Sequence, residues 1–191
     1  MSRIIYLEGS RAVGKTTLLK ALKEHFPNLV VIDGYARKEF MFDTTLYDEF
    51  VINEKLYLSC AVAQYNVFKT LNRDVIIVKG PYTDAFYAET MLDNQFSDIK
   101  DGQLSKYIDE AYKCKPDMII YLDASKDTVE KRCRNDSHIR KTMDIFMEKW
   151  IDNFSSFFKN KPCTKVINTD DLTAEEVFDK FIEITGSEEN V

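Results

Sequence analysis

Residues 9–16 read Gly-Ser-Arg-Ala-Val-Gly-Lys-Thr, which satisfies G-x-x-x-x-G-K-[ST] without a mismatch. The apolar run Ile4-Ile5-Tyr6-Leu7 precedes it and reads as a strand. Thr16 to Phe26 follows with Leu18, Leu19, Leu22 and Phe26 at helical spacing, and it stops before Pro27. Strand, glycine loop and helix in that order constrain this chain more than any other feature. The glycines let the backbone curl so that successive N–H groups point at one phosphate. Lys15 supplies a point charge to the β and γ phosphates. Thr16 offers a hydroxyl to Mg²⁺ at the helix start, where the dipole also favours an anion. Gly9, Ser10, Arg11, Ala12, Val13, Gly14, Lys15, Thr16 and Thr17 are therefore the candidate cradle for a nucleoside triphosphate.

The remaining chain alternates short apolar runs with longer amphipathic ones. Leu29–Ile32, ending at Asp33-Gly34, Val75–Val78, closed by Gly80-Pro81, and Met118–Leu122 read as strands, and Val166-Ile167 as a weak fifth. Helices are expected over Leu46–Leu71, Tyr82–Leu92, Leu104–Cys114, Thr128–Arg134, Met143–Phe158 and Thr173–Ile184. Thr173-Ala-Glu-Glu176 has the form of a capping box. Uninterrupted apolar strands separated by helices predict an α/β fold, a three-layer sandwich with a five-stranded parallel sheet and helices on both faces. Ligands of such sheets gather at the carboxyl ends of the strands. Residues 1–186 read as one domain, with 187–191 as a tail.

Lys+Arg 26 against Asp+Glu 32 leaves a net charge of -6, which argues against a large nucleic-acid footprint without excluding a small one. No apolar run approaches a membrane span or a signal-peptide core, so the expected location is the cytosol, with no membrane partner. Cys60, Cys114, Cys133 and Cys163 form no C-x-x-C clip and read as reduced thiols, mostly core fillers.

Three classes of phosphate-loop protein remain. A GTPase of this size usually carries a base-reading N-K-x-D segment, and this sequence has none. A motor ATPase usually ends a strand with a metal-supporting acid, for which Asp33 and Asp123 are candidates. A small kinase needs an arginine-rich lid that closes over the transferring phosphate. Residues 131–141, Lys-Arg-Cys-Arg-Asn-Asp-Ser-His-Ile-Arg-Lys, suit that role, with the lid itself about 132–141; the other reading is a solvated charged turn.

At this point the sequence resembles the thymidylate kinases and the related deoxynucleoside kinases. Tyr6-Leu7-Glu8-Gly9 leading into Gly14-Lys15-Thr16-Thr17 is similar to their opening. Ile120 to Ser125, with Val129-Glu130-Lys131-Arg132 and Arg134, is similar to their fourth strand, following helix and lid. Ala61-Val62-Ala63-Gln64-Tyr65 stands where their substrate-reading helix falls. Pro81-Tyr82-Thr83-Asp84 with Phe86-Tyr87-Ala88 resembles the segment after the third strand. The resemblance runs from Met1 to about Ile184 and implies ATP-dependent, Mg²⁺-assisted phosphoryl transfer to a nucleotide or nucleoside. It also implies a homodimer seam, for which the Leu46–Leu71 helix is the candidate.

The departures are specific. Members usually close the third strand with Asp-Arg or Glu-Arg, and Val78-Lys79 stands there. Thymidylate kinases carry arginine where Gln64 stands, while the nucleoside kinases read the base with a glutamine. Arg11 replaces an Asp or apolar residue and either lends charge to the transferring group or points to solvent. The catalytic set expected is Lys15, Asp33, Arg11 and Arg134. Asp33 ends the second strand, read as lying beside the phosphate-loop strand, and serves as carboxylate and metal support with Thr16; the alternative is a turn-forming Asp before Gly34. Glu8 supports the metal through water or holds the loop in shape. Arg132, Arg134 and Arg140 are expected on ATP, and Arg37, Gln64, Tyr65, Lys79 and Tyr82 on the acceptor. A missing strand-end acid favours a monophosphate acceptor, and Gln64 favours a nucleoside. Two further readings stand: a kinase of a nucleic-acid end or modified base, and a nucleotide-binding module with little catalysis.

Overall fold

The computed structural model describes residues 3–33, 43, 45–99, 102–134 and 146–186, without the side chains of 33, 134 and 146–151. Five runs rich in Val and Ile form the strands: β1 Ile4–Gly9, β2 Val30–Asp33, β3 Val75–Val78, β4 Met118–Asp123 and β5 Thr164–Asn168. All pair in parallel, in the order β2-β3-β1-β4-β5. The helices are α1 Lys15–His25, α2 Tyr47–Phe68, α3 Pro81–Gln95, α4 Ser105–Lys113, α5 Lys126–Arg134, α6 Phe146–Lys159 and α7 Ala174–Thr185.

Strand alternation sorts the core into two faces. Ile5, Leu7, Ile76, Val78, Ile120 and Leu122 pack against Leu18, Leu19 and Leu22 of α1, Val129 of α5, and Val177 and Phe181 of α7. Ile4, Tyr6, Ile77, Ile119 and Tyr121 pack against Tyr65 of α2, Phe86 of α3, and Phe154 and Phe158 of α6. The expected α/β sandwich with helices on both faces follows. Beyond the sheet, Phe50 and Leu58 of α2, Ala85 and Ala88 of α3, and Ile108 and Ala111 of α4 make a third cluster.

One placement differs from the sequence reading. β2 does not lie beside β1; it pairs with β3, which intervenes. All four residues of β3 are buried, whereas Val30, Val31 and Ile32 of β2 are only half-buried. The strand that is apolar on both faces takes an inner position, and the less buried one takes the edge. The end of β3 therefore lies nearer the phosphate loop than Asp33 does.

The capping box before α7 is present. Glu176 N–H donates to Thr173 Oγ1 at 3.2 Å, and Thr173 N–H donates to Glu176 Oε2 at 2.7 Å. All four cysteines are free thiols; Cys114 and Cys133 are buried, and Cys60 is exposed. No described helix is long and apolar enough to cross a membrane.

Candidate active site

The loop leaving β1 is bent by positive φ angles at Gly9 (141°), Ala12 (57°) and Gly14 (101°). Gly9 has no room for a side chain: a Cβ would stand 2.4 Å from Leu122 O and 2.9 Å from Val13 Cγ2. Gly14 caps α1, whose first turn carries no acidic residue, so nothing there competes with an anion for the helix start. Lys15 Nζ folds back over the loop and donates to Gly9 O at 2.7 Å and Ser10 O at 2.5 Å. Thr16 and Thr17 are exposed on the first turn of α1, and Arg11 is exposed on the loop. This cradle of curled backbone, cation and open helix start fits a polyphosphate.

Arg132 on α5 reaches the backbone of the cradle. It donates to Ala12 O at 3.3 Å, Thr169 Oγ1 at 3.1 Å and Thr169 O at 2.6 Å. It thus ties the phosphate loop to the segment after β5. Asp123 makes a strand-end brace. Its carbonyl accepts from Thr169 N–H at 2.8 Å, and its carboxylate accepts from Lys159 Nζ at 2.5 Å. Arg37 and Arg140, the side chains of Asp33 and Arg134, and the lid beyond residue 134 lie outside the described residues.

A second feature opens beside the end of β3. Tyr57, Cys60, Ala61 and Gln64 of α2 face Ile77, Lys79, Gly80, Pro81 and Asp84 across a narrow cleft with about 20 Å³ of free space. That is room for a water molecule. Of the residues expected on the acceptor, Gln64 and Lys79 both line this cleft, and Asp84 joins them. Tyr65 and Tyr82 do not. Tyr65 is buried and donates to Lys115 O at 2.7 Å, just before β4 begins. Tyr82 is buried edge-on against Tyr6 and Tyr112, at centroid distances of 5.6 and 5.7 Å. Both neighbour true cleft residues in sequence, but the 100° step of a helix turns them inward. A larger cavity, about 330 Å³, lies between the start of α2 and the end of α3, lined by Tyr47, Phe96 and Leu104. It contains none of the expected site residues.

Glu8 links cradle and cleft. It is fully buried, and Oε1 accepts from Gly80 N–H at 2.8 Å while Oε2 accepts from the Thr83 hydroxyl at 2.6 Å. Burial pushes its carboxyl up to about 8; the Thr83 and Gly80 hydrogen bonds and the Lys15 charge only partly offset this. Lys79, next to Gly80, has φ +55°. Sequence reasoning did not assign Thr83 or Asp84 a role. The available signal was Gly80-Pro81, which ends a strand and begins a helix, so that first-turn side chains face the crevice.

The family model for deoxynucleoside kinases matches residues 5–188. The chain belongs to the deoxynucleoside kinase family. It is a nucleoside or nucleotide kinase, which decides among the phosphate-loop classes left open by the sequence. Solved structures similar to this kinase are at low identity and share its fold. Thymidylate kinase from Candida albicans is 18% identical with a TM-score of 0.71, over 97% of this chain and 92% of that one. Deoxyadenosine kinase from M. mycoides, with the products dCMP and a flexible dCDP bound, is 17% identical with a TM-score of 0.73, over 96% and 99%. The YorR protein of Bacillus subtilis, in complex with phosphorylated GDP, is 20% identical with a TM-score of 0.56, over 97% and 96%. No curated protein matches this kinase in sequence.

Proposed function

We propose that this kinase transfers the γ-phosphoryl group of ATP to a deoxynucleoside monophosphate in the cytosol. The observation that carries the acceptor class is the end of β3. Val78 is buried and apolar there, and Lys79 lines the cleft beyond it. A nucleoside hydroxyl has to lose a proton as it attacks and benefits from a nearby carboxylate base. A monophosphate oxygen is already ionised and benefits instead from a cation that holds it in line. The buried carboxyl of Glu8 has both oxygens engaged by the turn.

On the donor side, Lys15, the loop N–H groups and Arg11 spread the charge of the transition state, together with Arg132, Arg134 and Arg140. Thr16 and Asp33 would hold Mg²⁺, which supplies charge neutralisation at the β and γ oxygens. On the acceptor side, Gln64 offers a donor and an acceptor to a base edge, and Asp84 an acceptor. Arg37 and Lys79 take the acceptor phosphate. Entry of a base requires the Tyr57–Gln64 face of α2 to part from the start of α3.

Turnover with Mg·ATP is to be measured against the four deoxynucleoside monophosphates, the four deoxynucleosides and an oligonucleotide. Monophosphate-dependent ADP formation is the expected result. The pair Gln64 and Asp84 favours a second reading, a deoxynucleoside acceptor, and stimulation by nucleosides alone would replace the first reading with it. Stimulation by the oligonucleotide alone would point to a polymeric acceptor. Lys79→Met is expected to raise the acceptor KM about tenfold or more, the scale of one lost charge-assisted contact, with the KM for ATP little changed.

Pairing of two copies belongs to the same proposal. Ile52, Leu56 and Val67 are exposed along the outer side of α2, at 48%, 37% and 59%. This stripe supports a homodimer seam on α2. Sedimentation should show a dimer that Leu56→Glu dissociates; a monomeric wild type would remove the seam from the proposal.

A further inference from the structure

We propose that Glu8 is a positioning residue that locks the β3–α3 turn to the phosphate-loop strand and thereby aims Lys79 at the acceptor. The inference rests on the reading of Lys79 as an acceptor contact.

Three consecutive residues of β1 grip the turn. Lys79 N–H donates to Leu7 O at 3.2 Å. Gly80 lies so close to Tyr6 that a Cβ there would stand 2.9 Å from three atoms of its ring. Glu8 takes the Gly80 N–H and the Thr83 hydroxyl. The turn needs such support, because Lys79 sits at φ +55°, a conformation that residues with a side chain adopt at a cost. Thr83 N–H also donates to Gly80 O at 2.8 Å, so the Glu8 contacts fix the first turn of α3 as well. The residue after Glu8 begins the phosphate cradle. One side chain therefore sets the distance between donor and acceptor halves of the site. A displacement of about 1 Å at such a point is enough to cost a large factor in rate.

The geometry also separates this role from metal support. The Thr83 hydroxyl can donate to a carboxylate or accept from an amide or acid N–H or O–H, and Gly80 N–H needs only an acceptor. A glutamine can satisfy both partners. It cannot replace a negative charge.

The test measures KM and calorimetric affinity for ATP and for the best of the four deoxynucleoside monophosphates. The variants are Thr83→Val, Thr83→Ser, Glu8→Ala, Glu8→Gln and Lys79→Met. Thr83→Val and Glu8→Ala are expected to weaken the acceptor about tenfold and ATP by less than about twofold. Thr83→Ser and Glu8→Gln are expected to recover most of the acceptor affinity. Equal losses for both ligands, or a raised Mg²⁺ requirement in Glu8→Gln, would overturn the inference. If Glu8→Ala does not fold, the Thr83 pair decides. If Lys79→Met leaves the acceptor unaffected, the reading of Lys79 fails. If Lys79→Met weakens the acceptor while Thr83→Val does not, that reading stands and the Glu8 inference alone is lost.

Discussion

Lys15→Ala is expected to lower phosphoryl transfer by about a hundred- to a thousandfold, the scale of removing one preorganised donor from developing charge. The Lys15 ammonium rests on Gly9 O and Ser10 O. Both carbonyls belong to the loop that would surround the phosphates, so the ammonium is already at the site and needs only to exchange partners. Preorganisation of this kind costs little when the reaction occurs, because no side chain has to be ordered at that moment. Alanine would leave the loop's backbone N–H groups, its positive φ angles and the start of α1 unchanged. ATP should therefore still bind, more weakly, while kcat collapses. Single-turnover kinetics with saturating ATP separate the two effects. A variant that keeps kcat and loses only ATP affinity would place the critical charge elsewhere, on Arg11 or the arginines after β4.

Gly9→Ala is expected to destabilise the fold by about 2–6 kcal/mol, combining backbone strain at positive φ with overpacking. Two independent facts act together. Gly9 has φ 141°, which an L side chain rarely adopts, and the added Cβ would meet Leu122 O at 2.4 Å. The obstacle is a backbone carbonyl of β4, in the register where Gly9 pairs with Leu122. A strand cannot swing aside as a flexible side chain does. The loss should appear as a lowered urea midpoint with an unchanged slope, since the surface exposed on unfolding is the same. Gly14→Ala offers a contrast. It has φ +101°, but nothing lies within 4 Å of the added Cβ, so the strain acts there without the collision. Comparable losses in the two variants would mean that the β4 contact relaxes freely.

The alternation of strands and helices and the glycine cradle for a nucleoside triphosphate are legible in the sequence. Each of these is local. A strand buried on both faces shows as an unbroken apolar run such as Val75–Val78, and a phosphate loop needs its glycines at fixed intervals within eight residues. The capping box at Thr173 and Glu176 is legible for the same reason, since its partners are three residues apart. Long-range neighbours emerge only in the folded chain. The position of β3 between β1 and β2 depends on which strand buries both faces most completely, and it moved the end of β3 nearer the phosphate loop than Asp33. Gln64 and Tyr65 are adjacent in sequence, yet one lines the cleft and the other bonds Lys115 O. A helix separates consecutive residues by about 100° in direction, and only the packing of α2 on the sheet fixes the zero of that angle. Glu8 illustrates the same limit most sharply. Its place beside the loop suggested either metal support or a hold on the loop's shape, but the partners that claim its oxygens, Gly80 and Thr83, lie 72 and 75 residues away. Contacts across such separations are set by the pairing of β1 with β3, which the fold as a whole selects and no short stretch of sequence encodes.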